Sequence, residues 1–319
     1  MIPPPATPRT DPGVTPVVWV VFNRPDCTAR SLAAIRAARP RRLYVVADGP
    51  RPDRPGEAAL CAEVRALVEQ GVDWPCEVVL DYAPANLGLA RRVTSGLDAV
   101  FARETEAIIL EDDCVPDPTF FPFCTELLAR YRDEPRVGQI SGSTFQGAGR
   151  ADAASYYFSR YPHCWGWATW RRAWRHYDHA MPAWGKPGAA AWLAEKITDP
   201  AERRYWAHSF DATAAGRMDS WAYRWTLALW AQNSLSLTPG RNLVSNIGFD
   251  ASATHTREAT ALTARPLSPM PFPLIHPASQ SRDPSADEHT SQLIYRRPSL
   301  PARILRRVRR MLVNGGVGA

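Results

Sequence analysis

Residues 108–123 read IILEDDCVPDPTFFPF, in which an apolar run is followed at once by three acidic residues. A run of Ile and Leu without polar alternation predicts a strand buried on both faces, as in a parallel sheet covered by helices. Glu111, Asp112 and Asp113 then stand at the carboxyl end of that strand. Because open α/β sheets bind ligands beyond this edge, the acidic triplet is the first candidate for a functional site.

The residues around this stretch repeat a pattern of strand and helix. Apolar runs predict strands at 17–22, 43–47, 77–80, 107–110 and 137–140. Amphipathic segments predict helices at about 26–38, 56–70, 86–103 and 120–132. Alternation of this kind predicts an α/β fold with a mainly parallel, mixed sheet flanked by helices.

Polar residues follow each of the first four predicted strands. Since the carboxyl ends of parallel strands meet at one edge, we expect these residues to converge. Any one of them alone is also compatible with ordinary loop chemistry. They are Asn23 and Arg24, then Asp48, then Asn86 and Gly88, and finally the acidic triplet.

The acidic triplet predicts a metal site. Three carboxylates at a strand end are unfavourable unless a positive group neutralises them. Hard oxygen ligands favour Mg²⁺ or Mn²⁺, which often complete their coordination with diphosphate oxygens and water. The alternative is a structural role: the carboxylates would stabilise the N-terminus of the following helix, where the helix dipole attracts negative charge.

The composition changes after about residue 144. Ten of the 12 tryptophans fall between Trp165 and Trp230, where helices are predicted at 188–197, 200–215 and 219–232, and an extended segment at 239–246. Most of these rings are expected to fill a core. Trp165 or Trp167 is a candidate for stacking on the apolar face of a sugar, and Gly166 between them would allow close approach of the backbone.

The termini differ from the body of the chain. Residues 1–16 carry six prolines and are predicted to be disordered, and 263–300 is predicted as an extended linker, or as an extended wrap on the domain. Residues 301–319 predict a basic amphipathic tail, which suits an anionic membrane surface, a solvated helix or an acidic partner equally well. The seven arginines from Arg296 onward carry more positive charge than the net +6 of the whole chain, so the rest of the chain is near neutral. No nucleic-acid partner is therefore predicted.

The six cysteines are scattered, without a Cys-x-x-Cys pair, and are expected to be reduced. The apolar run at 17–22 is too short for a signal sequence or a membrane span. We therefore predict a cytoplasmic protein. Peripheral attachment to the inner face of the membrane through the tail is left as an open alternative.

The sequence resembles glycosyltransferases of the GT-A fold, and is similar to the family 2-like bacterial enzymes and to the N-acetylglucosaminyltransferase I type. The resemblance spans about 17–256 and implies a domain at 17–262. Its nucleotide-sugar-binding half is 17–143 and its Trp-rich, helical acceptor side is 144–262. The matching segments are VVFNRP (20–25), VVADGP (45–50), NLGLARRV (86–93), IILEDDCVPDPTFFPF (108–123), WGWATWRRAW (165–174), DSWAYRW (219–225) and NLVSNIGFDASATHT (242–256).

The resemblance implies roles for single positions on the donor side. Asp113 matches the carboxylate that holds the metal, and His255 is a candidate for a late metal ligand, although a lone histidine is more often structural. Arg24 and Asp48 match residues that hold the nucleoside and the diphosphate. The residues predicted to bind the nucleotide sugar are Asn23, Arg24, Asp48, Asn86, Gly88, Arg91 or Arg92, Glu111 and Asp112.

Asp219 matches the position of the catalytic base, the carboxylate that takes the proton of the acceptor hydroxyl. Ser220 stands where the family has a second Asp. Asp219 also suits the cap of the helix that follows it, so its presence does not require catalysis. Asp211 is the fallback for the base.

The predicted activity is metal-dependent, inverting transfer of a sugar from a nucleotide diphosphate sugar, with UDP the expected nucleotide. The predicted acceptor is a hydroxyl of a glycan or a lipid-linked molecule, in the synthesis of a bacterial surface glycan. Two alternatives stay open: a sugar-1-phosphate nucleotidyltransferase, although the first strand lacks a Gly-rich phosphate loop, and a non-catalytic module that binds nucleotide sugars or glycans. The motifs of dinucleotide oxidoreductases, P-loop kinases and α/β-hydrolases are missing from the sequence.

Overall fold

The computed structural model describes residues 13–147, 154–248 and 265–296. The strands in these ranges are β1 (Val17–Val21), β2 (Arg42–Ala47), β3 (Glu77–Tyr82), β4 (Glu106–Glu111), β5 (Cys114–Pro116), β6 (Val137–Ser141), β7 (Tyr156–Ser159), β8 (Trp167–Trp170), β9 (Leu235–Pro239) and β10 (Val244–Asn246). The helices are α1 (Pro25–Ala38), α2 (Glu57–Gly71), α3 (Leu89–Arg103), α4 (Phe120–Arg130), α5 (Arg171–Trp174), α6 (Ala189–Lys196), α7 (Pro200–Ala214), α8 (Trp221–Ala231) and α9 (Pro284–Thr290), with a π-helical turn at Ser291–Tyr295.

Eight strands form one mixed sheet in the order β3-β2-β1-β4-β8-β6-β9-β7. β1 pairs in parallel with β2 and β4, and β2 pairs in parallel with β3, as the alternating pattern predicts. β8 enters antiparallel between β4 and β6, and β7 is antiparallel at the far edge. The predicted α/β fold with a mixed sheet flanked by helices is therefore confirmed.

The chain order reverses at β1. β2 and β3 extend the sheet on one side of β1, whereas β4 lies on the other side. Where the strand order of an open α/β sheet reverses, a crevice beyond the carboxyl ends of the parallel strands is the usual ligand site. This crevice is the place where the topology favours ligand binding.

The core has two layers because helices cover both faces of the sheet. Val17, Trp19 and Val21 of β1 face a cluster that includes residues of α1, α2 and α4. Val18 and Val20 face a second cluster built with α3 and α8. Alternate residues of a strand point to opposite faces, so all five residues of β1 are buried and its sequence shows no polar alternation.

A third, Trp-rich cluster lies among the helices of the second half. Trp206, Phe210 and Trp230 pack there with Tyr161, and Tyr295 from the end of the described chain joins them. The ring centroids of Trp206 and Trp230 are 4.7 Å apart, and those of Trp206 and Tyr295 are also 4.7 Å apart. Most tryptophans of this region thus fill a core, as expected.

The predicted elements of the first half and of α6 to α8 begin and end within three residues of their observed bounds. The segment predicted as an extended linker needs a correction. Within 263–300, α9 begins at Pro284 behind Asp283, whose side chain accepts the Ala286 N–H at 2.9 Å. Met270 and Leu274 are buried in the first core cluster, so this segment packs on the domain. Short apolar anchors between prolines and serines give no periodic signal, so the sequence alone did not decide between a linker and a wrap on the domain, and it did not predict α9.

Residues 1–12 of the N-terminal segment and the tail at 301–319 lie outside the described ranges. All six cysteines lie inside those ranges and are free thiols in the structure. In the described part of the chain, every helix is too short or too polar to cross a membrane.

A substitution of Gly96 tests the contact between α3 and the sheet. A Cβ atom at this position would lie 2.5 Å from Cγ1 and 2.8 Å from Cγ2 of Val46. Alanine favours a helix by about 1 kcal/mol over glycine, but overpacking a core costs about 1–3 kcal/mol. We therefore expect Gly96→Ala to lower the free energy of unfolding by about 1 kcal/mol in urea denaturation.

Gly147→Ala is the matched control, because a Cβ atom there meets no atom within 4 Å. Its effect should stay within about 0.5 kcal/mol, as for most surface substitutions. Equal stability of the two variants would contradict the packing of α3 on β2 described above.

Candidate active site

A cavity of about 630 Å³ lies at the carboxyl ends of the parallel strands, where the topology favours a ligand. Its walls come from the loops after β1, β2, β3 and β4 and from the start of α8. The structure thus brings together most of the residues singled out in the sequence. Its lining includes Phe22, Asn23, Arg24, Asp48, Arg51, Asn86, Gly88, Arg92, Glu111, Asp112, Asp113, Trp165, Asp219 and Trp221.

Arg24 forms ion pairs with two members of the acidic triplet. Its Nη1 donates to Asp113 Oδ2 at 3.0 Å, and its Nη2 donates to Asp112 Oδ1. The backbone N–H of Phe22 also donates to Asp112 Oδ2, at 3.3 Å. Part of the neutralising charge that the triplet requires therefore comes from within the protein. The guanidinium predicted to hold a ligand is engaged with carboxylates in this structure.

One arginine does not balance three carboxylates. Burial and the charges of Asp113 and Asp112 raise the pKa of Glu111 to about 8. Burial raises the pKa of Asp112 to about 6, although Arg24 acts in the opposite direction. Both shifts have burial as their main cause and neighbouring carboxylates as a further one, so the surroundings stabilise the ionised forms poorly.

The excess negative charge extends to the whole cavity. Its lining holds five carboxylates and three arginines. Two of those arginines are already paired with carboxylates from other positions, Arg51 with Glu57 and Arg92 with Asp81. A negatively charged ligand such as a diphosphate would therefore be repelled unless a cation accompanied it.

The described residues offer a divalent cation an incomplete protein site. They contain no group of three His, Cys, Asp or Glu side chains that could hold a metal ion together. Mg²⁺ usually needs only one or two carboxylates, because substrate phosphates and water supply the other oxygens. Asp113, which lines the cavity, fits that kind of shared site. His255, the other predicted ligand, lies outside the described residues.

Asp48 joins two loops of the cavity. Its Oδ1 accepts the N–H groups of Gly49 and Leu87, both at 2.9 Å, and its Oδ2 accepts the N–H of Gly88 at 3.1 Å. Burial raises its pKa, and these three hydrogen bonds act against that rise. The bonds from Leu87 and Gly88 join the two loops, and Asn86 adds a third link, because its Nδ2 donates to Gly49 O at 2.9 Å. Asp48 and Asn86 thus fix the loops after β2 and β3 against each other.

The two arginines predicted to reach the ligand are placed differently. Arg91 is exposed and is not among the residues that line the cavity. Arg92 lines the cavity, but its Nε donates to Ala47 O at 3.0 Å, its Nη1 to Ser95 Oγ at 3.1 Å, and its Nη2 pairs with Asp81 at 2.8 Å. Arg92 therefore supports the cavity wall from behind. Consecutive helical residues point in different directions, so the two arginines could not both face the ligand.

Asp219 caps a helix, but not the helix that follows it. Its Oδ1 accepts the N–H of Ala90 in the first turn of α3, at 3.2 Å. A Cβ atom on Gly88 would lie only 2.9 Å from Asp219 Oδ2, so the loop before α3 needs glycine here. Asp219 is exposed at the cavity. The fallback, Asp211, accepts the Trp184 indole N–H at 2.9 Å and does not line the cavity.

The three predicted acceptor-side residues are Trp165, Gly166 and Trp167. Only Trp165 is among the residues that line the cavity. Trp167 is fully buried and stacks on Trp221, with ring centroids 5.2 Å apart, so it belongs to the core. A Cβ atom on Gly166 would lie 2.6 Å from Val244 Cγ2, and its φ is +63°. The glycine is thus required by packing against β10 and not by approach to a sugar.

Gly248 passes over the acidic triplet. β10 pairs antiparallel with β5, which directly follows the triplet, and this pairing brings Gly248 back to it. A Cβ atom at Gly248 would lie 2.2 Å from Asp113 Oδ2 and 2.7 Å from Arg24 Nη1. The chain can make this close approach only without a side chain.

Sequence reasoning missed Arg51, Glu57 and Trp221. Arg51 and Glu57 ion-pair beside the cavity, and Trp221 forms a side-chain hydrogen bond with Glu111. Arg51 could have been noticed, because it follows Asp48 in the same strand-end loop. An acidic residue at a helix start is too common for Glu57 to stand out.

No family model matches the chain, and no curated protein matches it. Among solved structures, the mannosyltransferase PcManGT from Pyrobaculum calidifontis, in complex with GDP-Man and Mn²⁺, is 15% identical, with a TM-score of 0.37 over 70% of this chain and 71% of that chain. HddC from Yersinia pseudotuberculosis is 9% identical, with a TM-score of 0.34 over 52% of this chain and 81% of that chain. At this distance neither likeness bears on activity, and the similarity to the N-acetylglucosaminyltransferase I type stays a prediction.

The raised pKa of Glu111 predicts a pH dependence of stability. Between its ordinary pKa of 4.5 and its folded pKa of about 8, the folded protein holds a proton that the unfolded chain has released. Stability therefore falls progressively as the pH rises from 4.5 to about 8, and this group adds no further fall above that. Glu111→Gln mimics the protonated group, so it should flatten the fall in melting temperature between about pH 5 and 8 in buffer with a chelator. Parallel curves for wild type and variant would contradict the assignment.

Proposed function

We propose that this chain is a metal-dependent glycosyltransferase, which moves a sugar from a nucleotide diphosphate donor to a hydroxyl acceptor with inversion. The observation that supports it is the convergence of the acidic triplet, Arg24 and Asp219 on one cavity at the strand ends. The volume of about 630 Å³ is in the range of small-molecule sites. One end of the cavity is suited to a leaving diphosphate and the other to a proton acceptor.

The donor end combines a fixed cation with a place for a second one. Arg24 is held by Asp112 and Asp113, so its charge is already in position. Asp113 would hold a divalent cation together with the diphosphate, and the bound cation would stabilise the charge that develops on the leaving group. Without that cation, the excess of carboxylates would oppose binding of the donor.

Asp219 is the proposed catalytic base at the acceptor end of the cavity. The Ala90 N–H holds one of its oxygens, which orients the carboxylate towards the open cavity. As the acceptor hydroxyl attacks the anomeric carbon, its proton passes to Asp219 and the bond from that carbon to the diphosphate oxygen breaks. A single displacement of this kind inverts the anomeric configuration. Trp165 offers an aromatic face for stacking on a sugar.

The finer assignments also belong to this proposal. UDP is the proposed nucleotide, the acceptor is a glycan or a lipid-linked molecule, and the setting is the synthesis of a bacterial surface glycan. The tail at 301–319 would bring the enzyme to an anionic membrane surface. These assignments rest on the sequence resemblance and on the basic character of the tail.

Product analysis tests the reaction class. The protein would be incubated with Mn²⁺, a panel of sugar nucleotides and hydroxyl acceptors, and released nucleoside diphosphate would be measured. Pyrophosphate release from a nucleoside triphosphate and a sugar 1-phosphate would instead identify a nucleotidyltransferase. Tight binding of a sugar nucleotide without turnover would identify a binding module.

Asp219→Asn tests the role of Asp219 as a base without removing its contact with α3. The amide oxygen can still accept the Ala90 N–H, but the side chain can no longer take a proton. We expect kcat to fall by about 10²- to 10⁴-fold, with little change in donor affinity. Asp211→Asn, outside the cavity, is the control and should keep full activity. If Asp219→Asn turned over normally, the base would be another group.

Asp113→Asn tests the cation site. The amide keeps the contact with Arg24 but loses the charge that a divalent cation needs. We expect Mn²⁺ affinity in the presence of UDP, measured by calorimetry, to fall by roughly 10- to 100-fold or more, since changes around metal ligands have effects of this size. Asp211→Asn again serves as the control. Unchanged Mn²⁺ binding would remove Asp113 from the site.

A further inference from the structure

One wall of the cavity is organised by Glu57, the first residue of α2. This carboxylate is only 5% exposed. It pairs with the Arg51 guanidinium, and its Oε2 accepts the Arg51 backbone N–H at 2.7 Å. Its Oε1 also accepts from Asn23 Nδ2 at 3.0 Å. Glu57 thus holds two cavity residues that come from the ends of two different strands.

The contact with Glu57 fixes the orientation of the Asn23 amide. Arg51 lowers the pKa of Glu57, so this carboxylate stays ionised and can only accept hydrogen bonds. The NH₂ group of Asn23 must therefore face Glu57, and its carbonyl oxygen must point the other way. Among the described residues that oxygen has no partner. Asn23 lines the cavity, so it presents a fixed hydrogen-bond acceptor there.

The planar guanidinium of Arg51 is held in place by Glu57 and Phe22. Its Nε and Nη2 donate to Glu57, and its Cζ lies 5.6 Å from the centre of the Phe22 ring. Nη1 has no partner in the described part of the chain. The Arg51 side chain is 38% exposed and lines the cavity, so a ligand there can reach its guanidinium.

We propose that Glu57 is a positioning residue that holds Arg51 and Asn23 as a recognition face for the nucleobase of the donor. The Arg51 plane stacks on the base, and Asn23 Oδ1 accepts a ring N–H. Uracil and guanine carry an N–H in the middle of their Watson–Crick edge, whereas cytosine and adenine carry an acceptor nitrogen there. The face therefore selects uridine or guanosine nucleotides. This inference rests on the proposed function.

Asp48 is a poorer candidate for reading the base. Its two oxygens already accept three backbone N–H groups, from Gly49, Leu87 and Gly88. These bonds occupy three of the carboxylate's about four lone-pair sites, and the residue is only 6% exposed. Asn23 is half-buried, and its acceptor oxygen has no partner among the described residues.

Nucleotide selectivity tests the proposal. Affinities of UDP, GDP, CDP and ADP would be measured by calorimetry with Mn²⁺ for wild type and Glu57→Gln. Wild type should bind UDP or GDP about tenfold or more tightly than CDP and ADP, the effect of one hydrogen bond between a fixed acceptor and its donor. Glu57→Gln points an amide donor at Arg51 or Asn23, so this preference should fall to about twofold or less.

Asn23→Ala is the second variant, because it removes the acceptor directly at a half-buried position, and it should lose the same preference. Glu63→Gln, on the exposed side of α2, is the matched control and should keep the wild-type order. Unchanged selectivity in Glu57→Gln and Asn23→Ala, or an equal loss for all four nucleotides, would overturn the role of this face and leave the proposed function standing. A wild-type protein that binds none of the four would overturn the proposed function itself.

Discussion

The ion pairs of Arg24 with Asp112 and Asp113 are the interaction on which the site depends. They join the ends of two neighbouring parallel strands, and they place positive charge where burial would otherwise drive carboxylates to protonate. The balance is incomplete, since the pKa of Glu111 stays raised to about 8. A carboxyl group whose ionised form is so disfavoured, with Asp112 and Asp113 beside it, is typical of functional sites.

The remaining walls are rigid before any ligand arrives. Asp48 ties two loops together through backbone N–H groups, Asp219 ties α8 to α3, and Glu57 ties the ends of β1 and β2. Each link uses a polar side chain whose partners are fixed by the fold. Such preorganisation reduces the entropy that ligand binding must overcome, and it explains why so many polar residues of the cavity are engaged with the protein itself.

Much of the fold could be predicted from the sequence, because strands buried on both faces leave long apolar runs and the helices between them are amphipathic. The convergence of strand ends follows from parallel topology. The partner of each side chain could not be predicted: Arg24 and Asp112 are far apart in sequence, and only the sheet order brings them together. Trp165 and Trp167 are alike as residues, but Trp167 lies in β8 and fills the core, whereas Trp165 precedes the strand, on the other side of the positive φ of Gly166, and lines the cavity.

The bare backbone of Gly248 above Asp113 and Arg24 has an evolutionary consequence. The atoms that a side chain there would meet are the tips of two other side chains, so the fold itself would survive a substitution while the charged pair beneath was pushed aside. A single codon change at this position would alter the charges of the cavity, and selection for folding alone would not remove it.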